Sequence, residues 1–143
     1  MNVETILRNK GNRVVTIRPD AAVAEAVDRL NRERIGAIVV SEDGKGVDGI
    51  LSERDIVIAL AEDGGDLLSR PVGDIMTRTV ITCDPSATVE ELMAEMTNRR
   101  IRHFPVVADG RLIGIVSIGD LVKNRLDEVE FEANSMRSFI AGA

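Results

Sequence analysis

Two stretches hold the residues whose types and spacing suit chemistry: Gly114-Ile115-Val116-Ser117-Ile118-Gly119-Asp120 and, earlier, Gly49-Ile50-Leu51-Ser52-Glu53-Arg54-Asp55. Each reads as a short apolar strand breaking into a helix, with a hydroxyl and a carboxylate three positions apart at the break. That spacing fits a capping box, in which Ser is the N-cap and Asp the third helical residue, near the positive end of the helix. It also fits a ligand seat. Free N–H groups and the helix dipole suit a phosphate, and the Ser hydroxyl adds one hydrogen bond. The carboxylate repels a phosphate, so its natural partner is a pair of ribose hydroxyls. On spacing alone both roles stay open.

Other chemistry is sparse. His103 and Cys83 are the sole histidine and cysteine, so no metal-ligand cluster at a usual spacing and no internal disulfide is expected. There is no Gly-rich loop ending in Lys-Ser or Lys-Thr, no Gly-x-Gly-x-x-Gly that opens a helix as a dinucleotide fingerprint does (Gly44–Gly49 has the spacing but leads into a strand) and no evident nucleophile–base pair, which points away from an enzyme. With three Phe, no Trp or Tyr and a net charge of −6, the chain is a poor candidate for nucleic acid. No apolar run nears membrane-spanning length, and Met1-Asn2-Val3-Glu4 does not open a secretory signal. The expectation is a cytoplasmic protein without a membrane partner.

The elements that must position the two corners repeat. Val14–Ile17 predicts a strand before Pro19, residues 22–33 an amphipathic helix, Ile35–Val40 and Val47–Leu51 two strands, and Ser52 the start of a helix ending at Gly64-Gly65. The order then recurs as a strand at Val80–Thr82, a helix over Thr88–Arg99, strands at Ile101–Val107 and Leu112–Val116 around an Asp109-Gly110 turn, and a last helix from Ser117. Residues 14–44 and 80–110 share 11 identities in 31 positions, and 49–57 and 114–122 share five in nine. This is an internal repeat. Each β-α-β-β-α unit is too small to be secure alone, so two are expected to pack about a pseudo-twofold axis and form two related clefts. The divisions are a helical leader over 1–13, repeats over 14–64 and 80–126, a linker over 65–79 and a helical extension over 127–143. Within the extension Val122, Leu126, Val129, Ala133, Met136 and Ile140 recur every four and three residues. That seam either pairs with another helix, most simply from a second copy, or covers the protein's own core.

Thr16-Ile17-Arg18-Pro19 with Gly49–Asp55, and Thr82-Cys83-Asp84-Pro85 with Gly114–Asp120, resemble a tandem pair of cystathionine-β-synthase (CBS) domains, as does Arg102-His103-Phe104-Pro105-Val106-Val107. The resemblance covers about residues 14–126. It implies an α/β (α+β) fold and a regulatory sensor, not a catalyst, usually dimeric and often coupled to an effector protein. The ligands it implies are adenosine compounds: AMP, ADP, ATP, and in some members NAD or S-adenosylmethionine. In the second repeat it implies a phosphate role for Ser117 and a ribose role for Asp120, beside Gly119, with Thr82, Ile101 and Pro105 around the adenine. Arg102 suits phosphate or is a solvated cation; His103 contacts base or phosphate or is structural. The first repeat offers Thr16, Gly36, Ala37, Ser52, Arg54 and Asp55. There Gly36-Ala37 replaces Arg102-His103 and Arg54 replaces Gly119, so the two clefts should differ. The alternative is a structural protein that dimerises without a small ligand.

Overall fold

The computed structural model describes residues 1–11 and 13–142. The chain opens with α1 (Val3–Lys10), whose N-cap Asn2 accepts the Thr5 N–H at 3.1 Å and whose C-cap is Gly11 at φ 92°. The first repeat follows as β1 (Thr16–Ile17), α2 (Val23–Glu33), β2 (Ala37–Val40), β3 (Gly49–Ser52) and α3 (Glu53–Asp63). Two 3₁₀ segments, Gly64–Ser69 and Val72–Asp74, connect it to the second repeat. That repeat comprises α4 (Val89–Arg99), β4 (His103–Ala108), β5 (Arg111–Ser117) and α5 (Ile118–Gly142).

Both repeats turn at matching points. Arg34 and Arg100, one residue past α2 and α4, adopt the same left-handed conformation at φ 53° and 56°. Thr88 and Glu91 form the expected capping box on α4, whereas Ala22 leaves α2 without a side-chain cap. The β4–β5 hairpin turns through Asp109 and Gly110, both at positive φ, as a tight Asp-Gly hairpin requires.

One expected element is missing. Val80–Thr82 forms no strand, and only Cys83 makes a parallel bridge, to Val106. Pro105 is the reason. In the first repeat Thr16 and Ile17 pair with Val39 and Val40 in a three-stranded sheet ordered β1-β2-β3. Pro105 stands where Val39 does and has no N–H for the ladder. Its carbonyl still accepts the Cys83 N–H at 3.0 Å, and the Val107 N–H reaches the Cys83 carbonyl at 3.0 Å. The second sheet therefore keeps two strands, β4 and β5.

Each repeat has its own apolar core, completed by a segment from outside its sequence unit. Val3, Ile6 and Leu7 of α1 are buried with Val89, Leu92, Phe104, Val106 and Val116 of the second repeat. Leu67, Val72 and Met76 of the connecting segment are buried with Val23, Ile38 and Leu51 of the first. The docking bonds match: the Val3 N–H donates to the Ala87 carbonyl at 2.9 Å, and the Val72 N–H to the Ala21 carbonyl at 2.8 Å. Glycine permits both contacts. A Cβ on Gly114 would sit 2.6 Å from Leu7 Cδ2, and one on Gly49 would sit 2.5 Å from Met76 Sδ and 2.9 Å from the Thr77 carbonyl oxygen.

The seam of α5 does not cover the protein's own core. Leu121 is its one buried residue, and the side chains beyond Glu128 are exposed through Gly142.

Overpacking at these glycines is expected to lower stability by about 1–3 kcal/mol. Gly49→Ala should cost more than Gly114→Ala, because a backbone carbonyl yields less than a leucine side chain. In urea denaturation a Leu7→Ala background should relieve much of the Gly114→Ala cost; additive losses would show that the two positions do not compete for space.

Candidate functional site

Both strand-to-helix corners are capping boxes. The Ser117 N–H donates to Asp120 Oδ2 at 2.9 Å and the Asp120 N–H to Ser117 Oγ at 3.2 Å. The Ser52 and Asp55 pair repeats this at 2.9 and 3.2 Å, with the Ser52 hydroxyl also donating to Asp55 Oδ2 at 3.0 Å. The first helical N–H groups are occupied too: Ile118 donates to the Arg102 carbonyl at 2.8 Å and Glu53 to the Gly36 carbonyl at 3.0 Å. Of the first three N–H groups at each helix start, this leaves those of Gly119 and Arg54. The backbone seat expected for a phosphate is thus mostly filled, and most of the charge compensation has to come from side chains.

The second corner has them. Lys10, the last residue of α1, places its ammonium 2.6 Å from Asp120 Oδ2 and 2.8 Å from the Ile115 carbonyl oxygen. Burial alone raises the Asp120 carboxyl. Hydrogen bonds from Lys10 and the Ser117 N–H, with the Lys10 charge, outweigh it and hold the group below the ordinary carboxylate range. Asp120 is therefore an ionised, half-buried acceptor already matched to a cation.

His103 joins the two repeats at this corner. It lies opposite Ser117 in the β4–β5 register. Across the repeat boundary, a Cβ on Gly36 would lie 3.4 Å from His103 Cε1 and 3.7 Å from Glu53 Oε1. Burial and then the Lys10 charge lower the imidazole from its usual range; Arg102 adds to this, while Asp120 and Glu53 oppose it. The ring is neutral at pH 7 and retains one donor and one acceptor.

The cavity beside Asp120 has a volume of about 210 Å³ and lies between α1 and α5, with Asn9, Lys10, Asp120, Lys123, Asn124 and Asp127 in its wall. Asn124 keeps a buried carboxamide oxygen without a partner among the described residues. A wider groove of about 560 Å³ runs between α2 and α3, lined by Val27, Asn31, Arg34, Gly36, Glu53 and Val57 among others.

Gly36, His103, Ser117 and Asp120 thus converge, with the Arg102 carbonyl on the Ile118 N–H and the Arg102 side chain exposed. The first corner stands apart: Asp55 Oδ1 accepts the Thr77 hydroxyl at 3.2 Å, a neutral donor where Asp120 has an ammonium. Arg54 is exposed and makes no ion pair among the described residues. Thr16 lies in β1 opposite Val39, Ala37 in β2 opposite Ser52, and Pro105 in β4 opposite Ile115. Thr82 is exposed, and the half-buried Ile101 packs against the second core. Among the described residues no hydrogen bond joins Thr16 or Thr82 to either corner.

Lys10, Glu53, Asn124 and Thr77 were not legible as site residues. A signal for Lys10 existed: Val3 and Leu7 have the same spacing as Val72 and Met76, which extends the repeat back into α1. Cys83 offers no nucleophile, since burial and then the Asp84 charge push its thiol up to about 12. No group of three or more metal-ligating side chains occurs among the described residues, and no helix among them is long and apolar enough to cross a membrane.

Two α/β units, each with its own core and a capped strand-to-helix corner, define a tandem-repeat module. The chain belongs to the CBS domain family, whose sequence profile matches residues 5–62 and 72–127. The CBS domain-containing protein CBSX3, mitochondrial, of Arabidopsis thaliana is 38% identical over 127 residues, covering 86% of this chain and 62% of that protein's length. The chain therefore spans less than two thirds of that relative. A crystal structure of a CBS-domain protein from Agrobacterium tumefaciens matches with a TM-score of 0.84 at 44% identity, over 87% of this chain and 92% of that one. The CBS domain pair of protein MJ0100, solved with 5′-methylthioadenosine and S-adenosyl-L-methionine, matches with a TM-score of 0.78 at 28% identity, over 90% and 98%.

The single histidine makes the corner's electrostatics measurable. Its folded-state pKa lies below the unfolded value of about 6.5. The unfolded chain thus binds the proton first as pH falls, and stability is lost on going below about pH 6.5. Asp120, also depressed, adds stability that is lost further down, as pH falls below about 3.9 through the folded pKa. Urea denaturation of the wild type should show stability falling as pH drops below about 6.5, a slope that His103→Gln flattens. Parallel curves for the two proteins would contradict a buried, neutral His103.

Proposed function

We propose that this CBS pair is a non-catalytic sensor that binds an adenosine-containing ligand, AMP, ADP, ATP or NAD, at the Asp120 corner. The observation that carries the proposal is the Lys10–Asp120 ion pair beside His103, where the two repeats meet. Its carboxylate is ionised and half-buried, suited to accept both hydroxyls of a ribose. The MJ0100 pair, solved with two adenosine compounds, supports this ligand class.

A cavity of about 210 Å³ is smaller than the several hundred Å³ that ligand pockets usually offer, so a nucleotide enters by displacing the Lys10 side chain. The freed ammonium then turns to the phosphate, with Arg102 and Ser117 beside it. Once Asp120 is taken up by the ribose, the freed Lys10 favours a phosphate-bearing ligand over the sulfonium of S-adenosylmethionine. His103 faces the base or the first phosphate as a neutral donor and acceptor. The Asp55 corner, with Thr77 in place of a cation, binds a different ligand or none.

Regulation then rests on a difference in ligand affinity between two arrangements of the module, read by an effector protein in the cytoplasm. A homodimer is the natural assembly for that output.

Isothermal titration of ligand-free protein with AMP, ATP, NAD and S-adenosylmethionine tests the proposal. Asp120→Ala should weaken the best ligand by about tenfold or more, in line with roughly 1.5–3 kcal/mol for hydrogen bonds to a charged group. Asp55→Ala should leave that affinity nearly unchanged. Lys10→Met should weaken phosphate-bearing ligands while sparing 5′-methylthioadenosine. Silence from all four ligands would overturn the proposal.

A further inference from the structure

Helix α5 runs 25 residues, from Ile118 to Gly142, and only its start packs on the body of the protein. Leu121 is buried, and Asn124 and Glu128 are partly covered, with Glu128 3.6 Å from the Met1 amino group. At 100° per residue, these three positions lie roughly 130° around the helix from the seam of Val122, Leu126, Val129, Ala133, Met136 and Ile140. The seam is thus turned away from the body, with Leu126 63% exposed, Met136 61% and Ile140 67%. A helix that projects without tertiary packing is marginal over so few turns, and a contiguous apolar stripe in water marks an interaction surface.

We infer that this seam pairs with the same seam of a second copy, as a parallel, in-register two-stranded coiled coil. The charges beside it select that occupant and direction. In heptad terms Leu126, Ala133 and Ile140 are a positions and Val122, Val129 and Met136 are d positions. Lys123, Glu130 and Arg137 then fall at e, and Arg125 and Glu132 at g. In a parallel pair each g residue faces the e residue five positions on. Arg125 meets Glu130 of the second copy, and Glu132 meets Arg137 of the second copy; both contacts are attractive and each occurs twice. Within one chain Glu130, Glu132 and Arg137 make no ion pair among the described residues, while Arg125 pairs with Glu128 at 3.2 Å. An antiparallel pair that overlaps all six apolar layers instead opposes Glu130 to Glu130, Glu132 to Glu132 and Lys123 to Arg137. Slipping that pair by a heptad restores attraction but leaves two of the six layers without a partner. Only the parallel pairing satisfies both layers and charges. Phe139 flanks the seam at a g position; the exposed Phe131 lies outside it and is not explained by this pairing.

The test places single thiols in the full chain with Cys83, the one native cysteine, replaced by Ala. Under mild oxidation Met136→Cys, at a d position, should crosslink nearly completely to its counterpart in the second copy. Ser138→Cys, two residues on and off the seam, should not. Sedimentation of the unaltered chain should give a dimer. Charge exchange supplies a second arm on folded protein: Glu132→Arg or Arg137→Glu alone should weaken pairing by about tenfold, and the double exchange should restore it to within about threefold. A monomeric or trimeric chain, position 136 crosslinking no faster than position 138, or a double exchange no better than the singles would each overturn the inference.

Discussion

Leu7 lies so close to Gly114 that no Cβ fits between them, and the placement of charge at the candidate site follows from that contact. With Leu7 on β5, α1 ends where the Lys10 ammonium reaches both the Ile115 carbonyl oxygen and the Asp120 carboxylate. The equivalent contact, Met76 on Gly49, brings Thr77 to Asp55. One docking geometry used twice therefore delivers a cation to one corner and a hydroxyl to the other. The asymmetry of the two clefts arises less from the corners than from the segments that close them.

Capping and ligand binding are not competing roles for Ser117 and Asp120. Capping fixes the carboxylate through Oδ2, which accepts both the Ser117 N–H and the Lys10 ammonium. An uncapped aspartate would be free to rotate away, so the box orients the group that the ligand needs. A partly buried ion pair stabilises little on balance once its desolvation is counted, whereas removing one partner leaves the other uncompensated. Exchange of the Lys10 contact for ribose hydroxyls keeps Asp120 satisfied but leaves Lys10 uncompensated unless it finds another anion. This makes a phosphate the economical second partner, and it ties ligand choice to α1.

Most of the architecture was legible because it rests on local, duplicated signals. The proline entries, the Asp-Gly turns, the Thr88–Glu91 box and both Ser-x-x-Asp corners are short-range patterns with direct structural causes. The failure at Val80–Thr82 was of another kind. Its apolar β-branched residues suit a strand, but pairing depends on a neighbour far along the chain, and Pro105 removes the N–H that the ladder needs. The site was legible in its acids and hydroxyls and not in its cations. Lys10 reaches Asp120 across 110 residues of sequence, and Glu53 and Gly36 meet His103 only because the repeats face each other. Spacing on a single helix or strand carries no trace of such contacts.

Helix α5 joins these features physically. Asp120 lies in its first turn, Asn124 in the wall of the cavity, and the exposed seam begins at Val122. The same helix is bound to α1 through Lys10 at Asp120, and to the residue preceding its cap through Met1, whose amino group lies near Glu128 and whose sulfur meets the Asn124 amide. Displacing Lys10 thus loosens one of the few ties that set the direction in which α5 leaves the body. A ligand changes the pairing of two such helices only by favouring one direction over another. The tie at Lys10 is where that preference would enter, because it is the contact that ligand and helix share.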